Sequence, residues 1–218
     1  MEILTEIINN SFLKNEVNLV WEKLGQDFIL ADNELLSKFM DRRELSFHDQ
    51  VKLLGFLSKS ISHLDGNIVE IGVWKGKSLA FIERMVEKNC KIIGIDPCEI
   101  PGQRDELYYF KNKLFPKCDL IINYSHVAME NLLKMTKKIK LLHIDGGHQA
   151  INVWLDFLIY NQFLTPGGYI VFDDYSDLQF SPEVKQAVDT INSMGLFEKF
   201  DVIGTLKEFP NSFVLRKK

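Results

Sequence analysis

Residues 68–78, IVEIGVWKGKS, join a strand, a tight turn and the start of a helix. The first four residues are apolar apart from Glu70 and have the composition of a buried strand. Gly72 and Gly76 follow, and glycine lets a backbone turn sharply and approach a ligand closely. A buried strand that leads through a glycine turn into a helix is the repeating unit of an α/β sheet, so this stretch predicts that fold class.

The same alternation continues on the C-terminal side of this stretch. Four more short apolar runs lie at 91–95, 120–122, 141–144 and 169–172. Helical candidates separate these runs, near 77–88, 105–114, 127–137 and 149–163. This β-α-β-α order predicts a mostly parallel sheet with helices on both faces and right-handed crossovers.

The C-terminal end of the chain breaks the alternation. A helix near 182–193 is followed by two apolar runs, at 200–205 and 212–215. The segment between these runs is too short for a helical crossover, so we expect the two strands to pair antiparallel. The sequence therefore predicts five parallel strands and a C-terminal antiparallel hairpin.

The N-terminal residues 1–64 have a helical texture. Apolar residues recur at helical spacing in the first 21 residues, and Ser46 stands before the apolar segment 51–57 as a candidate helix cap. No Gly, Ser or Pro-rich linker follows. We therefore interpret 1–64 as an N-terminal helical cap that belongs to the same domain as 65–218.

The composition fits one globular domain and excludes several function classes. The 218 residues are 46% hydrophobic and carry 26 Lys+Arg against 30 Asp+Glu, a net charge of −4. A mildly acidic chain has no general attraction for phosphate backbones, so we expect no nucleic-acid partner. No apolar run approaches the roughly 18 residues of a membrane span, so we expect no membrane partner.

Cysteine usage and the N-terminus bear on the cellular compartment. Cys90, Cys98 and Cys118 form no CxxC pair, and an odd count at these spacings suggests neither a disulfide framework nor a zinc site. The first ten residues lack the basic start of a signal peptide. We expect a cytoplasmic protein.

The loop after the first strand has three candidate ligands, because open α/β sheets bind ligands outside the carboxyl ends of their strands. A dinucleotide fingerprint, GxGxxG, fails at Trp74, and a phosphate loop, GxxxxGK[ST], fails at Ile71. What remains is an acidic residue followed by x-Gly-x-x-x-Gly-x-Ser, from Glu70 to Ser78. The alternative is an ordinary strand-to-helix turn with a surface glutamate.

The second and third strands end in further polar residues. Asp96 lies where an acidic residue hydrogen-bonds both hydroxyls of a ribose, or it merely opens the turn before Pro97. Ser125 and His126 follow the third strand. They are candidates for contact with a bound ligand. The alternative is that Ser125 caps a helix and His126 faces solvent.

Three carboxylates end the fourth and fifth strands: Asp145, Asp173 and Asp174. Adjacent carboxylates repel one another, and a divalent cation would remove the conflict. Oxygen ligands suit Mg²⁺, Mn²⁺ or Ca²⁺ better than Zn²⁺, and Mg²⁺ keeps positions open for substrate oxygens. The alternative is a solvated turn at 173–174.

His148 follows Asp145 by three residues and is a candidate general base. An imidazole is a suitable acceptor for the proton of a hydroxyl group that a metal has acidified. The alternative is a structural histidine. His143 shares the face of Asp145 within the strand, so we interpret it as a core or supporting residue.

These motifs together resemble the metal-dependent O-methyltransferases among the class I S-adenosylmethionine-dependent methyltransferases. HIDGGH at 143–148 and PGGYIVFDDY at 166–175 are similar to the group of macrocin and mycinamicin O-methyltransferases and cephalosporin-hydroxylase-like proteins. Catechol O-methyltransferases are more distant by pattern, since they carry Lys at the position of His148. The resemblance covers about residues 67–176 and says little about 1–64 or 97–118.

The resemblance implies a Rossmann-like three-layer sandwich with a seven-stranded sheet, S-adenosylmethionine over its first three strands and a divalent metal, Mg²⁺ by preference, at the fourth and fifth. It assigns His148 as the base and Asp145, Asp173 and Asp174 as metal ligands. The cofactor-binding residues that it implies are Glu70, Gly72, Trp74, Gly76, Ser78, Asp96, Ser125, His126 and Asp145. Family analogy further suggests a homo-oligomer.

The expected reaction is methylation of a hydroxyl group on a small molecule, with a sugar or natural-product vicinal diol favoured. A catechol-type acceptor, an oxidation of the cephalosporin-hydroxylase-like kind and a non-catalytic binding protein are the alternatives. The segment 97–118, with aromatic residues at 108–110, either forms a lid over the acceptor or is a packed crossover helix.

Overall fold

The computed structural model describes residues 2–36, 48–86 and 90–218. Three helices come first: α1 Glu2–Asn9, α2 Ser11–Leu36 and α3 Val51–Ser60. The alternating part follows as β1 Asn67–Ile71, α4 Lys77–Met85, β2 Ile92–Asp96, α5 Gln103–Leu114, β3 Asp119–Ile122, α6 Ser125–Met135, β4 Ile139–Ile144, α7 Ala150–Tyr160 and β5 Leu164–Phe172. The chain ends with α8 Pro182–Ser193, β6 Phe200–Leu206 and β7 Phe209–Lys217.

The strands form one seven-stranded sheet in the order β3-β2-β1-β4-β5-β7-β6. Strands β1 to β5 are parallel, and β7 pairs antiparallel with both β5 and β6. The predicted Rossmann-like fold and its C-terminal hairpin are confirmed. The strands of the hairpin extend further than the sequence suggested, because buried Leu206 and Phe209 lengthen both and leave only residues 207–208 between them.

The two faces of the sheet bury alternate residues of each strand. Ile68 and Leu141 join the core beneath the N-terminal helices, whereas Val69 and Leu142 join the core beneath α6, α7 and α8. This two-residue period is the expected consequence of strand geometry. The central parallel strands therefore bury apolar side chains on both faces of the sheet.

Helices α1 to α3 pack in the same layer as α4 and α5. Phe28 of α2 contacts Phe110 of α5 with ring centroids 5.1 Å apart, and Trp21 contacts Phe81 of α4 edge-on at 5.3 Å. One apolar cluster joins these helices to the sheet. The predicted capping residue Ser46 lies outside the described residues.

The segment 97–118 contains a packed crossover helix. Phe110 is fully buried, and the hydroxyl of Tyr109 donates a hydrogen bond to the carbonyl of Ala31 in α2 at 3.1 Å. Of the two alternatives for this segment, the structure therefore favours the packed helix over a lid. Among the described helices, none combines the length and the apolar character needed to cross a membrane.

Candidate active site

The loop between β1 and α4 is built around left-handed backbone. Gly72, Trp74 and Gly76 have φ values of 87°, 52° and 77°. A Cβ atom on Gly72 would lie 1.8 Å from the carbonyl oxygen of Asp145, so the ends of β1 and β4 approach too closely for any other residue. The predicted cofactor loop and the predicted metal ligand are therefore in direct backbone contact.

Asp96 contacts this loop through one carboxylate oxygen and the segment that leads into α5 through the other. Oδ2 accepts hydrogen bonds from the backbone N–H groups of Val73 and Trp74, each at 2.9 Å. Oδ1 accepts one from the N–H of Cys98 at 2.7 Å and one from the side-chain amide of Gln103 at 3.1 Å. Asp96 thus ties the glycine loop to the start of α5, and its contact with a ribose stays a prediction.

Glu70 and His143 form a buried pair on neighbouring strands. The two residues are in register across β1 and β4, and Glu70 Oε1 lies 2.7 Å from His143 Nδ1. Glu70 is 0% exposed, and its Oε2 has no hydrogen-bond partner among the residues that the structure describes. The predicted contact between Glu70 and the cofactor stays a prediction.

The pair places a positive charge beneath the carboxylates. Burial alone lowers the pKa of His143, but the hydrogen bond and charge of Glu70, with the charges of Asp145 and Asp173, outweigh it and raise the pKa to about 9. His143 is therefore protonated at neutral pH. The protein itself supplies one of the cations that the cluster of carboxylates requires.

The three carboxylates fall into two overlapping groups that share Asp145. In the described part of the chain, the first group has one candidate ligand atom from each of Asp145, Asp173 and His143, and these atoms lie within 4.8 Å of one another. The second group has one such atom from each of Asp145, Asp174 and His148, within the same distance of one another. His143 is protonated at neutral pH and offers no lone pair, so the carboxylates and His148 are the available donors, and they fit a divalent cation without selecting Mg²⁺ over Mn²⁺ or other transition metals.

Without a cation, the inner carboxylates hold protons more tightly than usual. Burial and then the charge of Asp173 raise the pKa of Asp145. Burial also raises the pKa of Asp173, whose Oδ1 accepts a hydrogen bond from the hydroxyl of Ser212 at 3.1 Å. Cation binding at this site therefore competes with protons.

His148 lies at the mouth of the site with both ring nitrogens in contact. Nε2 is 3.2 Å from Asp174 Oδ2, and Nδ1 is 2.8 Å from the hydroxyl of Ser181. Asp174 has a φ of 57°, unusual for a residue with a side chain, and its Oδ1 accepts a hydrogen bond from Asn211 at 2.9 Å. His148 and Ser181 line an open cleft of about 410 Å³.

Three further predicted cofactor residues lie at helix starts. Ser78 is half-buried in the first turn of α4, and His126 is exposed, with its ring stacked on Tyr124 at 5.7 Å. The carbonyl of Ser125 accepts a hydrogen bond from the hydroxyl of Tyr160 at 2.7 Å. Their contacts with the cofactor stay predictions.

Comparison with known proteins gives the family. A family profile described as "Methyltransferase domain" matches residues 69–175, which hold both the glycine loop and the carboxylates. The uncharacterized protein R132 of Acanthamoeba polyphaga mimivirus is 33% identical over 192 residues, 77% of this chain and 78% of its own length. The chain is a class I S-adenosylmethionine-dependent methyltransferase.

The methyltransferase shares its fold with O-methyltransferases. It is similar to the O-methyltransferase NovP, with a TM-score of 0.68, 13% identity and coverage of 94% of this chain and 99% of that one. CalS11, a TDP-rhamnose 3′-O-methyltransferase, matches with a TM-score of 0.60 and 16% identity, over 91% of this chain and 93% of that one. TomG from Streptomyces achromogenes, in complex with S-adenosylmethionine, matches with a TM-score of 0.63 and 16% identity, over 91% of this chain and 88% of that one.

The candidate site of the methyltransferase also contains residues that sequence reasoning missed. Asp156 of α7 is buried, and its Oδ2 would lie 3.3 Å from a Cβ on Gly146. Burial raises the pKa of Asp156 to about 6. Its position beside Val153 and Phe157 on the apolar face of a helix could have indicated a buried acidic residue. Nothing in the sequence around Ser181 indicated that this residue lies in the site.

Proposed function

We propose that this methyltransferase transfers the methyl group of S-adenosylmethionine to a hydroxyl group of a small molecule, with a divalent cation at the carboxyl edge of its sheet. We favour a sugar or natural-product vicinal diol as the acceptor. The observation that supports the proposal is the contact between the glycine loop and Asp145, which itself lies within 4.8 Å of candidate ligand atoms of His148 and Asp174. The names of CalS11 and NovP support transfer to oxygen.

Transfer to oxygen needs a proton acceptor beside the attacking hydroxyl group. The hydroxyl oxygen forms a bond to the methyl carbon, the carbon–sulfur bond breaks, and its electron pair stays on sulfur. The proton of the hydroxyl group goes to His148, which is half-exposed at the cleft. The products are a methyl ether and S-adenosylhomocysteine.

Asp145, Asp173 and Asp174 would hold the cation, with His143 and His148 next to them. A bound divalent cation supplies a positive charge that acidifies a hydroxyl group and orients two neighbouring acceptor oxygens. The chain's own contribution is to hold these carboxylates at one place through Ser212 and Asn211.

Calorimetry followed by a methyl-transfer screen tests the proposal. S-adenosylmethionine is titrated into the full chain with and without Mg²⁺ or Mn²⁺. Radiolabelled methyl transfer is then measured over glycosides, nucleotide sugars and catechols. We expect binding of the cofactor, transfer to a diol that falls on chelation, and a loss of about 10²-fold or more in His148→Ala.

The exposed residue His63 provides the matched control, because His63→Ala removes an imidazole far from the carboxyl edge of the sheet. Full transfer activity is expected in that variant. Failure to bind S-adenosylmethionine would refute the proposal, and transfer to nitrogen or carbon alone would refute the hydroxyl acceptor. A preference for catechols over glycosides would replace the sugar-like diol with a phenolic acceptor.

A further inference from the structure

A second cavity lies at the amino edge of the sheet, opposite the candidate active site. Its volume is about 250 Å³, and it is lined by the C-terminal ends of α3 and α4, the start of β4 and the residues before β1. Lys140, the second residue of β4, lies in its wall. Pockets for drug-sized ligands measure roughly 300–1,000 Å³, so this cavity fits a smaller molecule.

Lys140 brings a buried positive charge to the cavity. The residue is 5% exposed, and Nζ donates one long hydrogen bond, at 3.4 Å, to the carbonyl oxygen of Leu64. Within residues 2–36, 48–86 and 90–218, no carboxylate lies within 4.0 Å of this ammonium group. A buried charge without a partner is costly, so an anion in the cavity would stabilise it.

The other polar groups near Lys140 do not balance its charge. Asp65 pairs with Lys138 at 2.6 Å and is largely exposed, and Lys59 pairs with a glutamate of α2 at 2.8 Å. Burial raises the pKa of the Cys90 thiol despite the nearby ammonium group, so the thiol is uncharged at neutral pH. Of the charged groups described at this cavity, the ammonium group of Lys140 is the one left unbalanced.

Ser58 of α3 contributes a buried hydroxyl group to the same cavity. It is 1% exposed, and its Oγ has no hydrogen-bond partner in the part of the chain that the structure describes. A helical serine can bond a carbonyl of the preceding turn, as Ser60 does at 2.8 Å, but Ser58 does not. The rest of the wall includes the apolar side chains of Leu64, Met85 and Val86.

We propose that this cavity binds a small monocarboxylate with a short aliphatic chain, whose carboxylate pairs with Lys140 and accepts a hydrogen bond from Ser58. One unbalanced ammonium group matches one negative charge. The apolar walls fit an aliphatic chain, whereas phosphate would bury oxygens against them without donors.

The proposed binding does not depend on the proposed function. Lys140 and Asp145 are five residues apart along β4 and its carboxyl end, which is roughly 16 Å at the rise of an extended strand. The two sites therefore lie at opposite edges of the sheet.

Titration calorimetry of the full chain with sodium pentanoate tests the proposal. We expect pentanoate to bind at least about tenfold more tightly than the neutral amide pentanamide or inorganic phosphate. Lys140→Met keeps the length of the side chain without its charge and should weaken pentanoate binding at least about tenfold. Ser58→Ala should weaken it about tenfold. Lys134→Met, on the exposed face of α6, is the matched control and should bind pentanoate as the wild type does.

Alkylation of Cys90 by iodoacetamide, followed by mass spectrometry, locates the bound pentanoate. Cys90 lines the cavity and is half-buried, so pentanoate at ten times its dissociation constant should slow its modification about tenfold. Cys98, which is also half-buried but follows β2 at the other edge of the sheet, is the internal reference and should react at an unchanged rate.

Urea unfolding without pentanoate distinguishes a binding role from a structural one. Each variant replaces a buried polar group that lacks a good partner, so Lys140→Met and Ser58→Ala should unfold at urea concentrations no lower than the wild type. Absence of pentanoate binding, equal affinity in Lys140→Met, or protection of Cys98 instead of Cys90 overturns the proposal. Tighter binding of phosphate than of pentanoate overturns the carboxylate assignment. If Lys140→Met does not fold, the affinity of Ser58→Ala and the alkylation rates still decide.

Discussion

Glu70 Oε1 lies 2.7 Å from His143 Nδ1, in a pair that is closed to solvent and sits directly beneath the carboxylates of the active site. A buried pair of this kind leaves an uncompensated charge when one partner is removed. The pair also helps to explain how the carboxylates of Asp145 and Asp173 can lie close together. The imidazolium of His143 lies among three acidic side chains and reduces their mutual repulsion.

Removal of the Glu70 charge should destabilise the protein in a pH-dependent way. We expect Glu70→Gln to lower the free energy of unfolding by about 3–5 kcal/mol at pH 6. The folded pKa of His143, about 9, is above the value near 6.5 of an unfolded chain, so the stabilisation is complete below about pH 6.5. It is lost as the pH rises through 9.

Urea unfolding of the wild type and Glu70→Gln between pH 6 and pH 9.5 measures this effect. The difference between the two proteins should shrink across that range. Glu130→Gln is the control, because the ion pair of Glu130 with Lys134 is largely exposed and screened by solvent, so its removal should change stability little. A difference that is constant with pH would show that the pair does not hold a proton on His143.

Asp96 should matter for cofactor binding through the shape of the glycine loop. In Asp96→Asn one of the two side-chain positions becomes an NH₂ group, which faces either the N–H groups of Val73 and Trp74 or those of Cys98 and Gln103. Donors then face donors, at a cost of about 1–3 kcal/mol. We expect calorimetry to show at least about tenfold weaker binding of S-adenosylmethionine, and unchanged affinity would contradict the loop-holding role.

The buried carboxylate of Asp156 should make stability fall as pH rises. Its folded pKa of about 6 is above the ordinary value of 3.8, so the folded state favours the protonated form. The stabilisation is greatest below about pH 4 and declines to a plateau above about pH 6. Relative to the wild type, Asp156→Asn should therefore gain about 3 kcal/mol in unfolding free energy between those limits. Parallel pH curves for the two proteins would contradict this assignment.

Cation binding at the proposed metal site should release protons. Burial raises the pKa of Asp145 and of Asp173, and a cation must displace the protons that they hold. We expect Mn²⁺ to bind at least about tenfold more weakly at pH 6 than at pH 8, with heats that depend on the ionisation enthalpy of the buffer. Asp145→Asn should abolish binding, whereas Asp189→Asn, exposed on α8, should leave it unchanged. Affinity independent of pH would argue against this site.

The parts of the site that follow strand ends could be predicted from sequence. A carboxylate such as Asp145 directly after an apolar run must emerge at the carboxyl edge, because strand direction and burial leave it no other place. The same reasoning brought Asp96 and Asp173 to that edge. The hydrogen bonds between Asp96 and the glycine loop could not be predicted from the sequence, because they depend on the path of the backbone after β1.

The residues that hold the site together could not be predicted in this way. Ser181, Asn211 and Ser212 reach the carboxylates from α8 and β7, and their contacts depend on how the C-terminal hairpin docks beside β5. No local sequence pattern distinguishes them from the other serines and asparagines of the chain. The pairing of Glu70 with His143 likewise requires the register of β1 against β4, which neither strand encodes alone.

Gly76 gives the sharpest test of the loop geometry, because Gly102 offers a matched control. Both glycines precede a helix with left-handed backbone, at φ values of 77° and 81°. A Cβ atom on Gly76 would lie 2.1 Å from the ring of Phe115, which is fully buried, whereas one on Gly102 would meet nothing within 4 Å.

Gly102→Ala should therefore cost only the backbone strain, about 1–2 kcal/mol, and Gly76→Ala should cost about 2 kcal/mol more because the ring cannot move aside. Urea unfolding of both variants measures the difference. Adding Phe115→Leu to Gly76→Ala removes the ring that the new methyl group would strike, so the double variant should lose less stability than the sum of the two single changes. Equal losses in Gly76→Ala and Gly102→Ala would mean that backbone strain alone, and not the packing of Phe115, requires glycine in this loop.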